Sequence, residues 1–144
     1  MANADLTDQM IGNDNEGRRR VREVETVLDC ATSPREANDV VNLFPVKAGQ
    51  RVLHTRVVVE TAEGAAVTLD VGDGAGASGY QSAVNGNVVA ATDMALALTE
   101  GAPNTVTGYT GGKTYAADDT VDMVFSAAAS AAKIKVQALI ADFA

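Results

Sequence analysis

The stretch TVDMVFSAAASAAKIKVQALIADFA, residues 120–144, decides the fold, because its alanines invite a helix and its alternation invites two strands. Alanine is the best intrinsic helix former. Yet Val121, Met123 and Phe125 repeat at a period of two, and so do Ile134, Val136, Ala138 and Ile140 against Lys133, Lys135 and Gln137. A helix over 126–141 would scatter those lysines and aliphatics around its circumference. The sequence therefore reads as two strands, 120–126 and 132–142, joined by the small-residue turn SAAASAA and expected to lie side by side as an antiparallel pair. Val121, Met123, Phe125, Ile134, Val136 and Ile140 should face the core, since a slip of one residue would exchange the faces.

The same alternation extends towards the N-terminus. VREVETVLD (21–29), VVNLFPVKAGQ (40–50), RVLHTRVVVE (51–60) and AAVTLDVGD (65–73) read as strands, with Val67, Leu69 and Val71 on one face, and Pro34, TAEG (61–64) and a Lys-Ala-Gly turn between them. Asn85-Gly86 signals a tight hairpin, in which both central positions need positive φ. About eight short antiparallel strands punctuated by turns indicate an all-β chain, a single β-sandwich of jelly-roll type over residues 21–144. Residues 1–20, polar and rich in Asn and Asp, read as an extended N-terminal arm of the kind that stays unstructured unless a partner holds it.

The glycine-rich run DVGDGAGASGY (70–80) has three readings: a phosphate cradle, a calcium loop or a bend between strands. A phosphate loop needs a following helix and, in a P-loop, a Lys-Ser/Thr pair, neither of which is present. An EF-hand loop opening at Asp70 would need a glutamate where Gln81 stands. The bend is favoured, with glycines at positive φ and Asp73 accepting local backbone N–H groups.

The chain of 144 residues is about one domain long and carries 19 acidic against 11 basic residues, which argues against nucleic acid as a partner. Its apolar runs are too short to span a membrane. The lone Cys30 and the lack of a basic-then-apolar start indicate synthesis in a reducing cytoplasm without a secretion signal. His54, the single histidine, leaves no multi-histidine metal site and suits a surface or structural position in its strand. Cys30 reads as a small buried hydrophobe. Ser33 and Ser82 lack the setting of an activated nucleophile. Asp118-Asp119 reads as a solvated strand cap. No enzyme activity, cofactor or metal is expected. The one charge cluster with a prospective role is Arg18-Arg19-Arg20 with Arg22, joined as a candidate contact by Arg35, since guanidinium groups pair well with carboxylates of a protein surface.

Phe44-Pro45-Val46, Arg56 to Gly64, Val67 to Gly74, Gly79-Tyr80, Val84-Asn85, Gly112 to Val124 and Ala132 to Phe143 together resemble the jelly-roll cement, or decoration, proteins encoded among the head genes of tailed bacteriophages. The resemblance runs from about residue 43 to 143 and leaves the Arg-rich arm outside. It implies a virion structural protein, made in the host cytoplasm, that binds the outer surface of the capsid and stabilises it by bridging major capsid protein subunits. It implies no catalysis and no cofactor. A protein spanning a local symmetry axis is expected to be a homodimer, or a trimer. The alternative is a carbohydrate-binding jelly roll on a virion or tail, which would need Tyr80, Tyr109 or Tyr115 as exposed platforms.

Overall fold

The computed structural model describes residues 20–94, 109 and 112–142, and in them the chain is all β. The strands are β1 (Val21–Asp29), β2 (Val40–Val46), β3 (Gln50–Thr61), β4 (Thr68–Gly72), β5 (Gln81–Asn85), β6 (Ala90–Asp93), β7 (Lys113–Thr114), β8 (Asp119–Phe125) and β9 (Lys133–Asp142). One sheet has the order β1-β9-β3-β6, with β7 also on β3, and the other the order β2-β8-β4-β5. All pairings are antiparallel. The chain changes sheet after β1, β2, β3, β5, β7 and β8, which is the path of a jelly roll. Because β6 and β7 lie end to end along β3, they act as two pieces of one strand position, so the expected eight positions hold.

The inward faces follow the alternation. Leu69, Val71, Val121, Met123 and Phe125 of one sheet, Val67 just before β4, and Ile134, Val136 and Ile140 of the other sheet are all buried in one core. In β3 a bulge between Val52 and His54 shifts the phase, so that Val52, Thr55, Val57 and Val59 point inward and His54 does not.

Two expectations about neighbours fail. Strands β8 and β9 belong to opposite sheets, so 126–132 crosses the sandwich instead of reversing within one sheet. The crossing is held by named groups. The Glu63 carboxylate accepts the N–H groups of Ser130, Ala131 and Ala132 at 2.8, 2.9 and 2.7 Å, and Ala129 exchanges backbone bonds with Arg35 at 2.8 and 2.9 Å. Ala129 and Ala132 are buried, so their small side chains serve close packing at the crossing. Likewise Asn85-Gly86 does not close a hairpin, because β5 pairs with β4 while β6 pairs with β3, and neither residue has positive φ. Gly86 instead donates to Val67 O at 2.9 Å and accepts from Glu63 N at 3.2 Å. Tertiary bonds override the local turn preference there.

The glycines of 72–79 also differ from expectation, since none has positive φ. At Gly72 and Gly79 the role is close approach. A Cβ on Gly72 would sit 1.9 Å from Gly76 O, and one on Gly79 would sit 2.1 Å from the Tyr109 ring. Gly72→Ala is therefore expected to lower the urea-unfolding free energy by at least about 2 kcal/mol through overpacking. Gly74→Ala, where an added Cβ meets nothing within 4 Å, should change it by less than about 0.5 kcal/mol. Equal effects of the two would contradict this packing.

Candidate functional site

The densest polar chemistry lies where the 73–80 loop meets the start of β7. Asp73 follows the last residue of β4 and has a side chain with no solvent exposure. Its Oδ1 accepts from Ala75 N at 3.0 Å, Gly76 N at 2.9 Å and Tyr109 OH at 2.6 Å. Its Oδ2 accepts from Lys113 Nζ at 2.6 Å and Tyr115 OH at 2.9 Å. Because Tyr115 donates to Asp73, the 2.6 Å contact between the Tyr80 and Tyr115 hydroxyls has Tyr80 as donor. Lys113 lies 4.3 Å from the Tyr109 ring centroid and 4.8 Å from that of Tyr115, a cation–π arrangement that spreads its charge over both faces.

Burial by itself would raise the Asp73 pKa. The bonds from Lys113, Tyr109, Tyr115 and Gly76 outweigh it and hold the carboxyl at about 2. The Tyr115 hydroxyl is pushed far above its ordinary range, by burial first and then by its place between Tyr80 and Asp73. Five donors occupy the lone pairs of a carboxylate that has about four acceptor positions. The site is thus a closed knot rather than an open reaction centre, and it binds the glycine loop to β7 and to the chain at Tyr109. The local backbone bonds of Asp73 were legible in the sequence; Tyr109, Lys113 and Tyr115 were not. The one available signal was Lys113 and Tyr115 two apart in an extended stretch, the first in β7 and the second just after it.

The arginines expected to make contacts fall into separate places. Arg18 and Arg19 lie outside the described residues. Arg20 precedes β1, its carbonyl accepting Asp142 N at 2.8 Å, and Arg22 is exposed in β1. Arg35 belongs to the opposite end of the sandwich, where it bridges to Ala129 and its guanidinium bonds to Ser33 O and Oγ. The strand between Arg22 and Asp29 alone spans about 20 Å.

Elsewhere, His54 Nε2 is 3.1 Å from Asp93, which also takes a bidentate pair from Arg56 at 2.7 and 3.3 Å, and Cys30 is fully buried. Asp118 is not merely solvated: it accepts Ala48 N at 2.9 Å and Lys47 Nζ at 3.4 Å. Tyr80 and Tyr115 are buried and Tyr109 gives its hydroxyl to Asp73, so none of them is the exposed platform a sugar ring would need.

The low Asp73 pKa has a signed consequence for stability. A folded-state value of about 2 against an ordinary 3.8 contributes stability that is complete above pH 4 and lost as the pH falls towards 2. The loss amounts to about 2 kcal/mol. Asp73→Asn should be less stable at pH 7 and should show a flatter dependence of unfolding free energy between pH 4 and 2. Parallel wild-type and variant curves would contradict the knot.

No protein-family model matches the chain, and no curated protein matches it. Solved structures do share its fold. It is similar to a chain in the acidic stable capsid structure of Helicobacter pylori bacteriophage KHP30, with a TM-score of 0.60 and 13% identity over 86% of this chain and 89% of that one. It is similar to a chain in the cyanophage Pam1 capsid asymmetric unit, with a TM-score of 0.59 and 15% identity over 86% of each. A chain in the capsid of Ralstonia phage GP4 gives a TM-score of 0.59 and 13% identity over 85% of this chain and 84% of that one.

Proposed function

We propose that this protein is a virion structural protein that binds the outer surface of a phage capsid and stabilises it by bridging major capsid protein subunits. The observation that carries the reading is the shared jelly roll, which extends over most of both chains in three phage capsid structures. The closed Asp73 knot supports it, because the most reactive cluster of the described residues is spent on holding loops together. A shell under internal pressure fails at subunit seams. Reinforcement there needs a rigid body that adds contact area on both sides, and the body here is the sandwich.

In this reading residues 1–20 reach a neighbouring subunit, and Arg18, Arg19, Arg20 and Arg22 pair with capsid carboxylates. Arg35, at the far end of β1, makes a separate contact. Each exposed pair contributes about 0.2–1 kcal/mol, so single substitutions matter little. The sum over several pairs and two subunits is large through effective concentration. The protein acts as a homodimer, or a trimer, matching the symmetry axis it covers.

The test is cosedimentation with purified capsids followed by heating. Wild-type protein should pellet with capsids and raise the temperature at which they release DNA. Removing residues 1–19 should leave the circular dichroism of the sandwich unchanged and weaken capsid association at least tenfold, with further weakening in moderate salt. Unchanged occupancy and heat resistance with the shortened chain would assign all binding to the sandwich.

A further inference from the structure

Among the described residues the two open sheets have four edges, formed by β1, β2, β5 and β6, the last shared with the two-residue β7. Three of them are blunted in ways that discourage pairing. Strand β2 carries Pro45 and a register shift between Asn42 and Phe44. Strand β5 is broken by Ala83 at φ 54 and a register shift opposite it. Strand β6 has only four residues.

Strand β1 has none of these features. It runs nine residues in unbroken register with β9. The bonds from Asp142 N to Arg20 O and from Cys30 N to Ala132 O, both 2.8 Å, fix which groups face β9. The even-numbered residues from 20 to 30 turn their N–H and C=O groups towards β9, because antiparallel pairs alternate. Val21, Glu23, Glu25 and Val27 therefore direct theirs outward. These eight backbone groups have no strand beside them among the described residues. The same four residues carry their side chains on the outer face of the sheet, with Val21 57% and Val27 47% exposed. Glu25 accepts a hydrogen bond from Gln137 at 3.1 Å, and Glu23 lies within electrostatic reach of Arg56, but no ion pair at contact distance among the described residues engages either glutamate.

We propose that the outer edge of β1 accepts an added strand, an extended segment of a capsid subunit that reads apolar-x-basic-x-basic-x-apolar. The backbone of Val21, Glu23, Glu25 and Val27 supplies the ladder, and the two glutamates select the basic positions. A second copy of this chain is the poorer occupant on charge. Antiparallel self-pairing centred on Glu23 or Glu25 sets that glutamate against its own copy, and centring on Val24 sets Glu23 against Glu25 twice. Only the source of the strand rests on the capsid-binding reading; the edge itself does not.

The test uses the full chain, purified capsids and a synthetic peptide, Val-Thr-Lys-Thr-Lys-Thr-Val, with its Glu counterpart as control. On capsids, the amides of Val21, Glu23, Glu25 and Val27 should exchange at least tenfold more slowly than in the free protein. The lysine peptide should shift those four amide resonances, and the glutamate peptide should not. Glu25→Pro removes an outward N–H together with one selecting carboxylate and its bond from Gln137, and the pair Glu23→Lys with Glu25→Lys keeps every N–H and reverses the charge. Each should weaken capsid binding at least tenfold with an unchanged circular dichroism spectrum; if the proline variant does not fold, the lysine pair and the amide exchange decide. Capsid binding with those four amides still in fast exchange would overturn the inference and leave the capsid reading standing. Peptide shifts without any capsid binding would support the edge and reject the capsid. A dimer abolished by Glu25→Pro would put a second copy on the edge and overturn the proposal.

Discussion

The carboxylate of Asp73 is shut away from water and still charged, and much of one end of the sandwich is arranged to make that possible. An ionised group in such a place must be surrounded by donors. Two come from its own loop, which has to fold so tightly that Gly72 and Gly79 leave no room for a Cβ. Three come from Tyr109, Lys113 and Tyr115. The loop after β4 in one sheet is thereby locked to β7 in the other, and Tyr80 is drawn into the same chain of bonds. Removing the charge would release several elements together.

A second carboxylate performs a comparable task at the opposite end. Glu63 collects three successive N–H groups of the 126–132 crossing, and those bonds hold its pKa down against the opposing effect of burial. Smaller versions recur at other turns, where Asp29 accepts Ala31 N, Asp39 accepts Glu36 N and Asp118 accepts Ala48 N, and at the register shift between β4 and β5, where Asp70 accepts Ala83 N. The acidic excess of the sequence is thus partly turn chemistry, with carboxylates satisfying backbone donors where the ladder ends.

Strand identity and inward faces were legible because alternation is a local property: Val121, Met123 and Phe125 must share a face whatever lies beside them. Strand neighbours were not legible, since adjacency in the chain suggested that β8 and β9 pair, whereas the bonds of Glu63 and Arg35 decide that they face each other across the core. Asn85-Gly86 misled for a related reason: its preferred hairpin competes with bonds to Val67 and Glu63. The Asp73 knot was hidden by distance in the chain, its three side-chain donors standing 36, 40 and 42 residues away. Of the arginines, the sequence could rank charge and position but could not foresee that Arg22 and Arg35 occupy opposite ends.

The functional account joins a fold shared with chains of phage capsids, a polar cluster closed on itself and one regular edge strand that has no neighbour on its outer side among the described residues. The most direct measurement is an image reconstruction of capsids prepared with and without this protein. The account predicts additional density of jelly-roll size on the outer surface, lying across boundaries between subunits, with a subunit strand beside β1. Density confined to the interior or the tail, or no difference between the two preparations, would contradict it.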